Sequence, residues 1–477
     1  MTLKVYDTLR REKSPFQPVD DHRVGMYFCG MTVQGRPHMG HMLAFVAGDM
    51  IRRYLEFLGY EVTYIQNFTD IDDKIIDKAL EEGVNYRVVA ERNMAAYHEA
   101  AAQLSIKPAT KYPLATEHIA DIVELIGKLV DNGHAYPADG DVYFRVRTMD
   151  EYGKLSKRNI DDLKSGARIE VGEHKEDPLD FALWKKSDEP EPGWESPWGR
   201  GRPGWHIECS AMSMKYLGAT LDFHGGGEDL IFPHHENELA QSECATGKPF
   251  VNYWLHNGLL NLRGEKMSKS TGHFFSMDDV LREFPGEVVR FYLLSTHFRS
   301  QSEFSRNRLE EARRGYERLV NACRLLDETI TRLGDSPAVS SPAAQGLTDA
   351  SAQARKRFLA AMDDDFNSAG AIGQVFELVR AFHTALDQGG PLVAQARDAL
   401  MAVRESFELF DSILCLFPGG FPRAAADVPE EILAMVDQRQ QARASRDFAR
   451  ADALRDELAA KGWAVDDTPR GVRVKPL

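Results

Sequence analysis

Between Arg23 and Gln66 the hydrophobic period changes twice, and this restricts the fold more than any other feature of the chain. Val24 to Cys29 is a short apolar run closed by Gly30. Leu43, Val46, Met50, Tyr54 and Leu58 then recur at helical spacing, and Gly59 stops that helix. Glu61 to Gln66 alternates Val62, Tyr64 and Gln66 as a second strand. Strand, helix and strand at this spacing form a right-handed parallel β-α-β unit. The loop at the carboxyl end of the first strand then belongs over a ligand crevice.

The rest of the chain supplies what such a unit needs to pack against. At 477 residues three or four domains are expected. Helical patterns fill much of Asp73 to Gly133, the later helix opening with Thr116 as its cap. Residues 135–200 differ: Val142, Phe144 and Val146 alternate, and Gly, Pro and Trp crowd residues 187–204. This stretch is an insertion between two halves of one α/β domain. The second half resumes with the strand Thr220 to His224, a helix from about His234 and the strand Phe250 to His256. Beyond about residue 275 the pattern is helical, broken at Gly334–Gly346 and at Phe417–Pro422, with a final small unit from about Val428.

Composition excludes several classes. The first residues have no apolar run after the lysine, so no signal peptide is expected. No stretch approaches the roughly 20 apolar residues of a membrane span. Five widely spaced cysteines do not form a secreted disulfide framework, so a reducing cytoplasm is expected, with thiols free to bind metal. A net charge of -15 argues against indiscriminate attraction to nucleic acid. Local basic faces still allow a selective RNA partner.

Two short segments suit phosphate chemistry. "HMGH" (His38 to His41) opens the first long helix, whose amino-terminus offers unpaired N–H groups and partial positive charge. His38 and His41 can donate to phosphate oxygens, and Gly40 lets a base or ribose approach the backbone. "KMSKS" places Lys266 and Lys269 three residues apart in a polar loop, within reach of one triphosphate. Each segment alone has a bland reading, as a helix start or a solvated charge cluster.

Together, in this order and context, they resemble the two signatures of class I aminoacyl-tRNA synthetases. "FCGMTV" (28–33), "NFTDIDDKI" (67–75), "RPGWHIECSAM" (202–212), "HGGGEDLIFPHHENELAQSE" (224–243) and "MDDDFN" (362–367) narrow the resemblance to the cysteinyl-tRNA synthetases, from about residue 3 to the end. The resemblance implies an α/β Rossmann-type catalytic domain in two halves, 1–134 and 201–260, around a connective insertion at 135–200. It also implies a stem-contact region with the KMSKS loop at 261–315, a helical bundle at 316–420 and a small anticodon-binding domain at 428–477.

In "FPHHENE", His234 and Glu238 are four apart and share one side of a helix, a spacing that suits two ligands of one metal. By itself such a pair is more often a helix-surface hydrogen bond. Cys29 and Cys209 lie beside the active-site segments and are the candidates to complete a set, whereas Cys244, Cys323 and Cys415 sit in helical patterns. Two thiolates, an imidazole and a carboxylate make a plausible zinc set. The family implies the same four positions, with one Zn2+ per subunit. His235 and Glu236 face elsewhere and serve local hydrogen bonding or packing. Cysteine and serine differ by one atom, and pocket shape separates such pairs by only about ten- to a few-hundred-fold. Zinc prefers a thiolate to an alcohol and so weighs the substrate side chain.

The implied reaction joins L-cysteine to ATP, accompanied by Mg2+, and then transfers it to the 3' end of tRNA(Cys). His38, His41, Lys266 and Lys269 are assigned to the phosphates. Gly40, Gly225, Gly226 and Gly227 are assigned to close approach of adenosine, Asp229 to the ribose, and Gly30, Thr32 and Trp205 to the amino acid. Asp70, Asp72 and Asp73 are read as capping the following helix. Arg439, Arg443 and Arg446 form a basic stripe that can meet an anticodon stem, and Asp467 is a further base-reading candidate. A cytoplasmic monomer without membrane contact is expected.

The chain departs from the family pattern at Gln34-Gly35 (often Tyr-Asp), His273 (often Asn) and Val474 (often Trp). The chief alternative is a mycothiol-pathway ligase joining activated cysteine to an amino-sugar. It would keep the zinc and ATP residues but would not need the region after residue 420. A non-catalytic tRNA-binding paralogue would have lost a signature histidine or lysine, and a zinc hydrolase leaves KMSKS unexplained.

Overall fold

Four parallel strands organise the first unit: β1 (Arg23–Phe28), β2 (Glu61–Gln66), β3 (Leu221–Gly227) and β4 (Val251–Asn257). They lie side by side in the order β2-β1-β3-β4. Val24 pairs with Val62, Met26 with Phe223, and Tyr253 also with Phe223. In the computed structural model the described residues are 2–159, 174–261, 276–333, 341–394, 396–423, 429–445, 447–468 and 471–476. Helix α1 (Met39–Phe57) carries the chain from β1 outward to β2. Helix α2 (Trp205–Leu217) precedes β3, and α3 (Glu236–Thr246) carries the chain outward to β4. The two crossovers therefore diverge between β1 and β3, which makes their carboxyl ends the switch point of the sheet.

The helical spacing of α1 has a packing purpose. Leu43, Val46, Met50, Ile51, Tyr54 and Leu55 are all buried, each contributing about 1.5–3 kcal/mol relative to exposure. Leu58 ends the helix and Gly59 follows with φ of 95°.

The insertion is a four-stranded antiparallel sheet of Ala135–Ala138, Asp141–Phe144, Phe181–Lys186 and Gly201–Pro203. Val142, Phe144, Leu183 and Trp184 face the same continuous core as Cys29, Ile207 and Cys209. Asp73 receives Lys185 Nζ at 2.6 Å and pairs with Arg202, so it anchors insertion strands while Asp72 caps the helix Asp73–Glu82 through the Lys74 N–H. Asp70 instead accepts the Thr116 N–H at 3.0 Å and its hydroxyl at 2.6 Å. Of the three aspartates only Asp72 acts as the cap. Thr116 does not cap the later helix either: it lies in a 3-10 turn, Ala115–Glu117, ahead of the helix Ile119–Asp131.

Helices follow at Met277–Glu283, Gly286–Leu294, Arg306–Leu333, Pro342–Asp363, Ser368–Ala394 and Arg397–Leu414. Contacts divide the chain into a first unit, Met1–Tyr316, Ala350–Leu378 and Ser406–Pro418, and a second, Glu317–Asp349, Val379–Glu405 and Gly419–Leu477. In the second unit the helices Glu430–Ala444 and Phe448–Ala460 and the hairpin Trp463–Thr468/Gly471–Pro476 enclose Ile432, Met435, Val436, Leu454, Leu458 and Val465. Arg439 is 6% exposed there while Arg443 is exposed, so the two do not share one solvated stripe. Arg446 lies outside the described residues, as do the side chains of Asp467 and Val474. Among the described residues no helix is long and apolar enough to cross a membrane.

Candidate metal centre and nucleotide crevice

Cys29 stands one residue past β1, and Cys209 lies in the second turn of α2. His234 lies within a π-helical turn, Ile231–His235, and Glu238 lies in the first turn of α3. Donor atoms of these four buried side chains all fall within 4.8 Å of one another. The sulfurs of Cys29 and Cys209 are 3.8 Å apart. Glu238 Oε1 lies 3.4 Å from Cys29 Sγ and 2.9 Å from His234 Nε2. Two thiolates bound tetrahedrally at about 2.3 Å would be separated by about 3.8 Å, so the pair is spaced for a zinc-sized ion. Glu238 Oε2 is buried with only His224 Nε2 near it, at 3.4 Å and without a regular hydrogen bond, so it keeps acceptor capacity that a cation would satisfy.

Protons on Cys29 and His234 take the place that a cation would fill, and metal binding would release them. Cys209 accepts from Cys29, and this, against the effect of burial and with help from His234, lowers its thiol to about 6. Burial, Cys209 and Glu238 push Cys29 well upward. Burial would neutralise His234, but Glu238 and Cys209 outweigh it and raise the imidazole to about 10. Glu238 is held well below the usual carboxylate range, because His224 and His234 overcome its burial.

Two neighbours define how His234 is presented. Its Nδ1 lies 3.0 Å from His206 Nδ1; burial and His234 hold His206 neutral while Glu238 and Cys209 keep His234 protonated, so His234 donates and His206 accepts. That bond directs Nε2 toward the thiols. Trp205, 37% exposed, packs on the His234 ring with centroids 4.4 Å apart and planes tilted by 30°.

His235 departs from expectation. Its Nε2 is 3.3 Å from Cys29 Sγ and its Nδ1 2.7 Å from His256 Nε2, which in turn reaches the Thr8 hydroxyl through Nδ1 at 2.8 Å. Cys29, His224, His235 and Glu238 thus make a second four-donor group sharing two members with the first. The π-helical turn, with Phe232 at non-helical φ and ψ, aims His235 inward where a regular helix would aim it aside. His206, His224 and His256 carry no spacing signal, because each reaches the site from a different element.

The crevice beside this centre holds the signature histidines. His38 is the cap of α1: its Nδ1 accepts the Gly40 and His41 N–H groups at 3.1 and 3.4 Å. His41 Nδ1 accepts the His38 N–H at 3.3 Å, and the rings stack 3.6 Å apart. Burial, with His38 adding to it, lowers His41 to about 3; burial also lowers His38, although Asp229 opposes it. Both rings are therefore neutral, accept at Nδ1 and carry their proton at Nε2. Lys266 and Lys269, with the rest of KMSKS and His273, lie outside the described residues.

The glycines have internal reasons as well. A Cβ on Gly30 would fall 1.6 Å from the Asn67 carbonyl oxygen, and one on Gly225 2.6 Å from the Phe28 ring. The close approach at these two positions is made by the sheet itself. Thr32 forms a bridge with Thr69.

Comparison with known proteins accounts for nearly the whole chain. Residues 15–314 match the class I (C) tRNA synthetase catalytic domain, 357–417 the DALR domain, and 425–474 the cysteinyl-tRNA ligase anticodon binding domain. The cysteine–tRNA ligase of Geobacter metallireducens is 50% identical over 485 residues, covering 100% of both chains. The chain belongs to the cysteinyl-tRNA synthetase family. The cysteine–tRNA ligase of Heliobacterium modesticaldum is 49% identical, again over 100% of each chain. Among solved structures, Mycobacterium tuberculosis methionyl-tRNA synthetase in complex with methionyl-adenylate aligns with a TM-score of 0.66 at 17% identity, covering 84% of this chain and 92% of that one. A putative arginyl-tRNA synthetase from Campylobacter jejuni aligns at 0.59 with 12% identity, covering 84% and 94%. These last two likenesses establish the fold alone.

Proposed function

We propose that this chain activates L-cysteine with ATP and Mg2+ to give cysteinyl-adenylate and pyrophosphate, then transfers cysteine to the 3' end of tRNA(Cys). The observation that carries the reading is the convergence of Cys29, Cys209, His234 and Glu238 at the switch point of a parallel sheet, beside the capped amino-terminus of α1. In the first step the cysteine carboxylate attacks the α-phosphorus and pyrophosphate leaves, so the protein needs to position and neutralise more than to supply a nucleophile. The Nε2–H groups of His38 and His41 donate to phosphate oxygens, and Lys266 and Lys269 add positive charge. Asp229 orients the ribose. Gly40, Gly226 and Gly227 admit the nucleoside to the backbone, and Gly30, Thr32 and Trp205 border the amino acid.

Cys29, Cys209, His234 and Glu238 would hold one zinc ion. Such an ion supplies a soft Lewis acid that takes a thiolate and binds an alcohol poorly. His206 fixes the His234 ring for that role, and Trp205 shields the site mouth. The match of residues 425–474 to an anticodon binding domain favours tRNA over an amino-sugar as acceptor. ATP–pyrophosphate exchange dependent on cysteine, with serine as control, followed by addition of tRNA, tests the reading. Exchange without any acylated tRNA would contradict it.

A further inference from the structure

Between the proposed ligands His234 and Glu238 stand two residues that serve neither the thiols nor solvent. Glu236 is fully buried, and its Oε1 accepts the N–H of Gly153 at 3.0 Å and of Leu155 at 3.3 Å. Its Oε2 accepts the N–H of Ser156 at 2.7 Å. Asn237 Oδ1 accepts the Tyr152 hydroxyl at 2.5 Å. The insertion turn that supplies these donors is tight: Gly153 has φ of 95°, and a Cβ there would meet the Arg158 carbonyl oxygen at 2.1 Å. Successive amides so arranged form a concave anion cradle.

We propose that Glu236 is a positioning residue for the metal ligands, held by the Tyr152–Ser156 turn of the insertion. The inference rests on the zinc reading of the site. Glu236 is two residues from each ligand, so any rotation of this turn about the helix axis carries His234 and Glu238 together. The segment on its amino-terminal side is a π-helical turn interrupted at Phe232, which lacks the regular bonding that would fix that rotation from within. The grip therefore comes from outside the helix, through a carboxylate that takes three amide hydrogens at once. A carboxylate that merely stapled the insertion to α3 would leave the orientation of the ligand pair unaffected when weakened.

Glu236→Gln keeps the shape of the side chain but turns an NH2 group toward an amide donor, loosening the grip without a cavity. Tyr152→Phe removes the hydroxyl held by Asn237 and changes volume little. Loss of a direct hydrogen-bond partner of a ligand typically costs about 10–100-fold in metal affinity, and these residues act one step further out, so a smaller loss is expected. Zinc affinity of the full chain, read by competition with a chromogenic chelator, should fall at least fivefold in Glu236→Gln and in the same direction, by less, in Tyr152→Phe. The visible band of the cobalt-substituted protein should shift in both, and the KM for cysteine should rise while the KM for ATP holds. Variants that bind zinc within fivefold of the parent with an unchanged cobalt spectrum, whatever their melting temperature, overturn the positioning role and leave the zinc reading standing. A parent chain that binds no zinc overturns the zinc reading itself.

Discussion

Arg290 should be the most costly surface-remote cation to remove, because it is a fully buried strut behind α1. Its Nε donates to the Leu414 carbonyl at 2.7 Å, its Nη1 to the Leu104 carbonyl at 3.1 Å, and its Nη2 to Asp49 of α1 at 2.5 Å. Arg290→Met fills much of the volume but strands two buried carbonyls, at about 1–3 kcal/mol each. Breaking a buried pair costs about 3–5 kcal/mol when the remaining charge is abandoned. Here Asp49 keeps Arg53 Nε and the Lys107 N–H, both at 2.8 Å, so we expect a total of about 3–4 kcal/mol. With an unfolding entropy of about 2.1 cal/mol/K per residue over the roughly 360 residues of the first unit, calorimetry should show a loss of about 4–5 °C. Arg53→Met, at a partly exposed site, should cost about half as much or less.

The pH dependence has a definite sign. Burial raises the Asp49 carboxyl, but Arg290 and Arg53 outweigh it and hold it below its ordinary value. Its stabilisation is present above the unfolded carboxylate value of about 4 and is lost as pH falls through the lower folded value. Arg290→Met has less of it to lose, so the gap between parent and variant should narrow on acidification below about pH 4. A variant within 1 °C of the parent near neutral pH, on a calorimeter resolving ~0.3 °C, would refute the strut. A gap that widens in acid would refute the assignment of Asp49.

Three further outcomes are expected. His38→Asn keeps an acceptor for the α1 cap but removes the Nε2–H, so melting should change by less than about 1 kcal/mol while pyrophosphate exchange falls about 100-fold. Gly30→Ala forces a Cβ into the Asn67 carbonyl and should destabilise by about 3 kcal/mol or more in urea unfolding. Asp73→Asn breaks two partly exposed ion pairs to Lys185 and Arg202 and should cost only about 0.5–1 kcal/mol, an effect that added salt diminishes.

The residues that could be read in advance are those whose role is periodic or local. The helix face Leu43-Val46-Met50-Tyr54 and the stop at Gly59 follow from side-chain spacing, and the end of the first strand ahead of Gly30 follows from glycine punctuation, whereas the strand expected to stop at His224 runs on through the glycines to Gly227. His234 and Glu238 show themselves as an i, i+4 pair, and Cys29 and Cys209 stand out by lying beside the active-site segments, a choice the family resemblance matches. His224, His235 and His256 stayed hidden because their convergence depends on a π-helical turn and on strand register. Thr116 looked like a cap because its neighbourhood is helical, yet the buried Asp70 claims its donors. Arg439 looked solvated by spacing alone, while the small core of the final unit buries it. In each miss a long-range contact decided what local pattern could not.

The most direct measurement is cysteine-dependent ATP–pyrophosphate exchange by the purified chain before and after zinc removal, with serine run in parallel and zinc content measured. Stoichiometric zinc, loss of cysteine activation on its removal, recovery on its return, and no appreciable serine activation in the loaded protein are expected. A metal-free preparation that still activates cysteine fully and refuses serine would contradict the zinc reading.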